Sequence, residues 1–333
     1  MRIMIVTDAW APQVNGVVRT LDNTIRELKR RGHAVLVISP DLFKTVSCPG
    51  YPEIQLALFP KSKIKSLWNH FLPEALHIAT EGPLGLAMKR YAERRKIPYT
   101  TAYHTRFPEY LKSYFNCPLW ITYAYLRWFH SKSKNVMVPT PTILRELSLR
   151  GISALSIWAR GVETDVFKPQ RLNKNNETTV FLYVGRISSE KNISSFLNLD
   201  LPGEKWVVGD GPLLETYKHE YPNIQFFGAK KKTELVSFYN QADVFVFPSK
   251  TDTFGLVMLE AMACGTPVAA YPVASPIDVI HNGVSGAMDE DLKEACLLAR
   301  EVPRENVRRY AQNWSWKQST DSFESYLVPF SST

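Results

Sequence analysis

The segment PSKTDTFGLVMLEAMACGTPVAA at residues 248–270 carries the strongest pattern in the chain. It follows the apolar run VFVF and places Asp252 in a turn rich in Ser, Thr and Gly. Glu260 comes eight positions later, in a helical stretch that ends at the capping residue Gly265. Strand, turn and helix in this order build open parallel α/β sheets, in which ligands bind at the strand-to-helix junctions. Two carboxylates at one junction suit a ligand rich in hydroxyl groups.

Length and composition indicate two domains in a reducing compartment. With 333 residues and 45% hydrophobic content, the chain is longer than an ordinary single domain. The cysteines, Cys48, Cys117, Cys264 and Cys296, are too scattered for a zinc site or a disulfide framework. The opening MRIMIVTDAW is interrupted by Asp8, and no run of roughly 18 apolar residues follows. We therefore expect a cytosolic protein, or one bound to a membrane surface without spanning it.

The net charge of +8 is unevenly distributed. Residues 1–168 hold 24 Lys and Arg against 12 Asp and Glu, whereas the remainder holds 16 against 20. A basic half joined to a mildly acidic half indicates that the first half meets an anionic partner. Phospholipid, nucleic acid and a phosphorylated substrate all satisfy this requirement, although the chain has no nucleic-acid signature motif.

Strands and helices alternate along both halves. In the first forty residues, the strand-like runs IMIVTD and AVLVIS flank the helical stretch VVRTLDNTIRELKRR. A second series begins near Val180 with TVFLYVGRI and continues through KWVVGDG, IQFFG and DVFVFPS. This alternation predicts an α/β fold with two Rossmann-like halves. The polar run FKPQRLNKNNE marks a linker near residues 163–176. We expect domains at 1–168 and 169–312, and a helical segment at 313–333 that packs on the first domain.

Further motifs follow one another in a fixed order. They are NG at residues 15–16, AYHTRFPEY at 102–110, RGVETDVFKP at 160–169, YVGRISSEKN at 183–192 and VGDGP at 208–212. Together with residues 248–270, they resemble the retaining glycosyltransferases of family 4, whose GT-B fold has two facing Rossmann-like domains. The resemblance spans nearly the whole chain. In detail it is to the branch that glycosylates membrane lipids, including glycosyldiacylglycerol and phosphatidylinositol-mannoside synthases.

Four side chains are the expected donor-binding groups of the second domain. Arg186 and Lys191 span a strand-to-helix turn, and their charges suit the diphosphate of a departing nucleotide. The resemblance implies that Glu260, the second acidic residue of an E-x7-E motif, binds the ribose hydroxyls. It places Asp252 at the first acidic position, against the donor sugar, where the family more often has Glu. The residues alone also allow Asp252 as a helix N-cap and Glu260 as a helix-surface residue.

Backbone groups are expected to complete the donor site. Amides at the start of a helix can hold sugar hydroxyls or phosphate. The residues concerned in the second domain are Phe254, Gly255, Leu256 and Val257. The resemblance adds Gly16 opposite them in the first domain, Gly209 and Gly211 along the nucleotide cleft, and Gly228 with Lys230 near the base. Since VGDGP lacks the G-x-G-x-x-G order, hydride transfer is not expected.

His104 follows an apolar strand in the first domain. An isolated histidine is more often structural, but the resemblance places this one beside the reacting carbon, where it positions donor and acceptor. In this family the leaving phosphate is thought to accept the acceptor's proton. The acidic run 289–291 opens a helix, where negative charge is favourable. We therefore expect no metal and no other cofactor, the nucleotide sugar being a co-substrate.

Two stretches of the first half are candidates for membrane or acceptor contact. KSKIKSLWNHFL at residues 61–72 has Ile64 and Trp68 at helical spacing after three lysines, which fits a helix in a membrane interface or one packed on the sheet. The aromatic-rich residues 110–129 fit an acceptor groove or the core.

We expect a glycosyltransferase that moves a hexose from a UDP- or GDP-linked donor to a lipid such as diacylglycerol or a glycolipid, with retention. It would act at the cytoplasmic face of the membrane as a peripheral protein. Two alternatives remain: a soluble transferase acting on a saccharide or small metabolite, and a catalytically silent basic module that binds lipid or RNA.

Overall fold

The computed structural model of the chain describes residues 1–13, 15–48, 51–170 and 178–331. The chain divides into two compact units. The first comprises Met1–Ala159 and the segment from Trp316 onward, and the second comprises Arg160–Ser315. Each unit is built on its own six-stranded sheet. The prediction of two Rossmann-like α/β domains is therefore confirmed.

The first unit alternates strands with helices on both sides of a parallel sheet. Its strands are β1 (Arg2–Val6), β2 (Ala34–Ile38), β3 (Thr45–Cys48), β4 (Tyr51–Ala57), β5 (Ala75–Ile78), β6 (Thr100–Ala102), β7 (Val136–Val138) and β8 (Leu155–Ile157). Its helices up to that point are α1 (Gly16–Arg30), α2 (Lys61–Phe71), α3 (Pro83–Arg94), α4 (Phe107–Phe115), α5 (Leu119–His130) and α6 (Pro141–Leu149). The sheet order is β2-β1-β5-β6-β7-β8, with β3 and β4 forming a separate antiparallel pair.

The second unit repeats this plan. Its strands are β9 (Val180–Val184), β10 (Glu204–Val208), β11 (Gln225–Phe226), β12 (Val244–Phe247), β13 (Val268–Ala270) and β14 (Gly286–Met288). Its helices are α7 (Ile193–Leu197), α8 (Leu214–Glu220), α9 (Lys232–Gln241), α10 (Leu256–Ala263), α11 (Ala274–Val279), α12 (Leu292–Arg300) and α13 (Arg304–Ala311). The sheet order is β11-β10-β9-β12-β13-β14.

Both sheets contain a point where the strand order reverses. In the second sheet β9 lies beside β12, and in the first sheet β1 lies beside β5. The loops after two such neighbouring strands run in opposite directions and open a crevice at the carboxyl ends of the strands. Each unit therefore has one edge at which its topology favours ligand binding.

Continuous apolar runs explain why these sheets lie at the centre of their units. All five residues of β9 and all four of β12 are buried. Strands covered by helices on both faces need apolar side chains at every position, in contrast to the alternating pattern of a half-exposed strand. Helix α1 supplies the complementary pattern, because Leu21, Ile25 and Leu28 recur on one helical face and are buried.

The first unit ends earlier than the expected boundary at residue 168. Val162 and Phe167 belong to the hydrophobic core of the second unit. The amide of Val162 also donates to the carbonyl of Trp314 at 3.0 Å. Polar composition thus misled the boundary prediction, because a few apolar residues tie this segment to the second unit. The remainder of the expected linker, at residues 171–177, lies outside the described residues.

The last helix, α14 (Trp316–Tyr326), returns to the first unit. Phe323 is fully buried in a core cluster with Leu21 of α1. The indole nitrogen of Trp158 donates to Ser319 Oγ at 3.1 Å. Arg31, just after α1, lies 3.1 Å from the Glu324 carboxylate. Apolar burial and polar contacts together anchor α14 to this unit.

Helix α2 packs inward, contrary to the membrane-interface interpretation of its apolar stripe. Ile64 is fully buried and Trp68 is 8% exposed. The Trp68 ring also stacks on Phe330, with 5.9 Å between ring centroids. The stripe therefore serves the core of the first unit, while Lys61 and Lys65 remain exposed. None of the helices within the described ranges is both long and apolar enough to cross a bilayer.

Candidate active site

The loops after β9 and β12 are joined at the reversal point of the second sheet. Three side chains make the connections. Asn192 Nδ2 donates to the Pro248 carbonyl at 3.0 Å, Thr251 Oγ1 donates to the Glu190 carbonyl at 3.0 Å, and Lys191 Nζ lies 2.5 Å from Asp252 Oδ1. Four expected site residues, Arg186, Lys191, Asp252 and Gly255, thus lie on two neighbouring loops at one sheet edge.

The Lys191–Asp252 ion pair is half-buried, with 23% and 16% of the two side chains exposed. The alternative that Asp252 caps the following helix does not hold. The N-cap of α10 is Gly255, which has no side chain to offer. Asp252 instead neutralises the cation on the adjacent loop. Its carboxylate and the Lys191 ammonium together present an acceptor and a donor to the crevice.

Arg186 is the second cation at this edge. Its backbone carbonyl accepts a hydrogen bond from the Tyr183 hydroxyl at 2.7 Å, which fixes the loop directly after β9. Its Nε lies 3.9 Å from Glu190 Oε1, and 34% of the side chain is exposed. The backbone is held here, and the guanidinium, the group that suits a diphosphate, is partly exposed.

Gly209 and Gly211 support this loop by close packing. Gly209 has φ +149°, and a Cβ there would lie 1.8 Å from the Gly185 carbonyl oxygen. A Cβ at Gly211 would lie 2.3 Å from the Ile187 carbonyl oxygen. The loop after β10 therefore crosses directly over residues 185–187. The two glycines that were expected to line the nucleotide cleft also have this structural role.

Gly228 and Lys230 follow the edge strand β11. The amide of Gly209 donates to the Gly228 carbonyl at 2.9 Å, which connects this loop to the one after β10. Lys230 is half-buried two residues further on. Both positions expected near the base thus lie on the same carboxyl edge of the second sheet.

Gly255 gives α10 an uncapped start. Its φ of +77° lies in the left-handed region, and a Cβ would come within 2.8 Å of Phe247 Cζ. As a glycine, the N-cap residue offers no side chain to the first amides of this helix. Leu256 and Val257 direct their partly buried side chains to the core. This packing is compatible with the prediction that they would contact a ligand through their backbone.

Phe254, immediately before Gly255, is a core residue. It is 4% exposed, and its ring centroid lies 5.6 Å from that of Trp314. Its carbonyl accepts a hydrogen bond from Ser275 Oγ. The side chain and the carbonyl therefore fix the turn in which Gly255 lies.

Glu260 lies inside the unit, contrary to the alternative of a helix-surface residue. Only 5% of it is exposed, and one carboxylate oxygen accepts a hydrogen bond from the Tyr239 hydroxyl at 3.0 Å. Burial, reinforced by the charge of Glu260, raises the pKa of the nearby Cys264 thiol to about 12. Tyr239 was missed from the sequence because an aromatic residue in an apolar helical stripe indicates only core packing.

The first unit holds His104 and Gly16 at the carboxyl ends of β6 and β1. His104 is 8% exposed, and its ring makes an edge contact with Trp158 at 5.5 Å between centroids. Gly16 begins α1, whose N-cap Asn15 accepts from the amides of Val17 and Val18 at 3.0 Å. The side-chain oxygen of Asn15 thus already accepts hydrogen bonds from two of the N–H groups with which this helix start could bind an anion.

Asp8 occupies the reversal point of the first sheet. Its carboxylate accepts from Thr80 Oγ1 at 2.8 Å, from the Leu84 amide at 2.8 Å and from the Gly85 amide at 3.3 Å. Burial raises the pKa of this carboxyl. The sequence interpretation treated Asp8 only as a break in an apolar run. Its position directly after a buried strand was the signal that could have identified it.

The reversal point of the second sheet thus combines two cations, a helix that starts at a glycine and two carboxylates. Cations and free amides bind phosphate, and carboxylates bind hydroxyl groups. Across the described residues, no cluster of three His, Cys, Asp or Glu side chains forms a metal-binding group.

Two family models match consecutive parts of the chain. One, described as glycosyltransferase family 4, matches residues 14–166. The other, described as glycosyl transferases group 1, matches residues 166–302. Together they span residues 14–302, which include parts of both units and every expected site residue.

Individual relatives match over most of their length. The chain is 28% identical to the GDP-mannose-dependent alpha-mannosyltransferase of Corynebacterium glutamicum, covering 90% of this chain and 80% of that protein. It is also 28% identical to the alpha-monoglucosyldiacylglycerol synthase of Streptococcus pneumoniae, covering 90% and 78%. Among solved structures, the sucrose-phosphate synthase of Thermosynechococcus elongatus superposes with a TM-score of 0.77 at 19% identity, over 97% of each chain. This last likeness supports the fold alone.

Proposed function

The chain belongs to glycosyltransferase family 4, and we propose that it transfers a hexose from a nucleoside diphosphate sugar to a membrane lipid, with retention at the anomeric carbon. In this proposal the second unit binds the donor and the first unit binds the acceptor. Diacylglycerol and glycolipids are the acceptor classes that we favour. UDP and GDP are the candidate nucleotides.

The meeting of Lys191, Arg186 and Asp252 at one reversal point carries the proposal. The two cations suit the diphosphate, whose negative charge grows as the sugar departs. Asp252 and Glu260 suit the sugar and ribose hydroxyls, with Tyr239 orienting the Glu260 carboxylate at 3.0 Å. Because Asp252 already pairs with Lys191 at 2.5 Å, an arriving phosphate would compete for the ammonium and leave the carboxylate available to the sugar. The mannosyltransferase relative, which is named for its dependence on GDP-mannose, supports such a donor.

The acceptor assignment rests on charge and on a relative. Residues 1–168, nearly all in the first unit, carry 24 Lys and Arg against 12 Asp and Glu, which favours an anionic surface. The Streptococcus pneumoniae relative is named for a product built on diacylglycerol. Both observations support a lipid acceptor over a neutral soluble one.

The reaction forms a bond between an acceptor hydroxyl oxygen and the anomeric carbon. It breaks the bond from that carbon to the phosphate oxygen, and the hydroxyl proton passes to the leaving phosphate. Lys191 and Arg186 stabilise the released nucleoside diphosphate, and His104 positions the reacting groups. We propose that no resident metal takes part, because two preplaced cations supply the required positive charge.

Release of the nucleoside diphosphate tests the proposal directly. Purified protein is mixed with UDP-glucose, UDP-galactose, UDP-glucuronate or GDP-mannose, with and without vesicles that contain diacylglycerol. One donor should give nucleotide release that depends on the lipid, and nuclear magnetic resonance of the product should show the α-linkage of the donor. Absence of release with every donor and acceptor would refute the proposal.

A soluble saccharide acceptor is a second candidate, favoured by one observation. Helix α2 buries Ile64 and Trp68, so the apolar stripe first considered for membrane contact packs on the core of its own unit. The same assay discriminates the two functions. A soluble transferase would release nucleotide with water-soluble sugars and would gain nothing from vesicles.

A further inference from the structure

Helix α5 is apolar on both of its faces. On the inner face, Leu126 and Phe129 are fully buried. On the outer face, Trp120 is 73% exposed, Ile121 43% and Trp128 46%. With about 100° of rotation per residue, these three side chains fall within an arc of about 100°. A helix on the surface of a globular domain normally places polar residues there.

Positive charge surrounds this outer face. The sequence of α5, LWITYAYLRWFH, contains no acidic residue, and Arg127 lies exposed beside Trp128. After the helix come Lys132 and Lys134, which together with Lys96 line an open cavity of about 250 Å³.

Lys89 connects the aromatic part of this surface to the basic part. Its ammonium lies 4.4 Å from the ring centroid of Trp128 and 2.5 Å from Glu93 Oε1. Glu93 lines the same cavity as Lys132 and Lys134. The aromatic and basic groups are therefore contiguous. We call the set Trp120, Ile121, Arg127, Trp128, Lys132 and Lys134 the α5 surface.

We propose that the α5 surface docks the protein on an anionic phospholipid bilayer. Trp120, Ile121 and Trp128 enter the interface, where the amphipathic indole ring is favoured, and the cations contact lipid phosphates. A second copy of the chain is a poorer occupant. A two-fold pairing of identical surfaces would bring the same cations together without any acidic residue on α5 to oppose them.

The inference rests on the proposed function only in that a lipid acceptor calls for a membrane-facing surface. Docking itself requires no catalysis. Binding to vesicles and release of nucleotide can therefore be measured separately, and either can fail alone.

Vesicle sedimentation tests the docking. The triple variant Trp120→Ser, Ile121→Ser, Trp128→Ser should bind vesicles of phosphatidylcholine and phosphatidylglycerol at least about tenfold more weakly than the unaltered protein. Lys132→Glu with Lys134→Glu should weaken binding to these vesicles and reduce its dependence on salt. Gel filtration and thermal unfolding verify that the variants remain folded.

Two matched variants serve as controls. Ile277→Ser with Leu298→Ser removes apolar side chains of the second unit that are 50% and 53% exposed. Lys61→Glu with Lys65→Glu reverses two exposed charges on α2. Both controls should sediment with vesicles like the unaltered protein.

Undiminished binding by the triple variant, or an equal loss in the α2 control, would overturn the proposal. So would a concentration-dependent dimer that the triple variant abolishes while vesicle binding persists, since the surface would then pair two copies. The triple variant should keep its thermal shift with nucleoside diphosphates. A protein that docks but never releases nucleotide would refute the proposed function and leave the docking intact.

Discussion

The two sheets reverse their strand order in the same way, yet the two reversal points carry different side chains. In the second unit, Lys191 and Arg186 lie there, and α10 begins at Gly255 without a side-chain cap. In the first unit, the buried carboxylate of Asp8 lies at the reversal point. It accepts hydrogen bonds from the first N–H groups of α3. One fold thus provides two similar crevices, and the side chains at the reversal point determine which of them can accept a phosphate.

The Asp8 carboxylate can lie in the first crevice because residue 82 is a glycine. A Cβ at Gly82 would lie 2.5 Å from Asp8 Cγ, so any larger residue would displace the carboxylate. Asn15 caps α1 at the same edge. The first unit therefore satisfies the starts of α1 and α3 with its own side chains, and its expected contribution to donor binding is limited to what Gly16 and His104 can add.

Among the variants that test this difference between the units, Lys191→Ala should have the largest effect, a loss of kcat/KM. Loss of a preplaced cation at the leaving phosphate is expected to lower kcat/KM about 10²- to 10³-fold, or about 3–4 kcal/mol of transition-state stabilisation. Rates of nucleotide release measure it. Lys218→Ala, which removes a surface lysine paired with Glu215 at 2.8 Å, is the control and should change little. A loss below about threefold for Lys191→Ala would mean that the second crevice does not bind the diphosphate.

Asp8→Ala should lower the unfolding free energy of the protein without changing its affinity for the donor nucleotide. It leaves the Thr80 hydroxyl and the Leu84 and Gly85 amides without their acceptor, at an expected cost of about 2–3 kcal/mol in unfolding free energy. Chemical denaturation measures the loss. Asp8→Asn keeps one acceptor oxygen and should lose less. The thermal shift produced by a bound nucleotide should be unchanged, and a weakened shift would contradict the division of roles between the units.

Asn15→Ala should have the smallest effect of the three. Loss of an N-cap destabilises a helix start by about 1 kcal/mol. Asn15→Asp retains an acceptor for the amides of Val17 and Val18 and should be nearly neutral. Denaturation curves compare the two variants. If Asn15→Ala also raised donor affinity, the uncapped amides of α1 would be serving as a second phosphate site.

Local patterns in the sequence were sufficient to predict the two sheets. Buried runs such as those of β9 and β12, each followed by a helical stretch, require only periodicity and composition. The pairing of Lys191 with Asp252 could not be predicted in this way, because it depends on which strands are neighbours. For the same reason the sequence could not exclude the alternative of Asp252 as a helix N-cap.

Helix α2 and the domain boundary were ambiguous for a different reason. An apolar stripe with Ile64 and Trp68 at helical spacing has the same period whether it meets lipid or protein. Residues 163–168 belong to the predicted linker, yet Phe167 and the adjacent Val162 lie in the core of the second unit. Composition reports an average over a segment, whereas packing depends on individual side chains.

The return of α14 to the first unit has a consequence for synthesis on the ribosome. Domains that are continuous in sequence usually fold in order from the N-terminus. Here the core of the first unit lacks Phe323 until the whole second unit has been translated. The later unit can therefore complete its fold before the earlier one, and the nascent chain must carry an unfinished first unit through most of its translation.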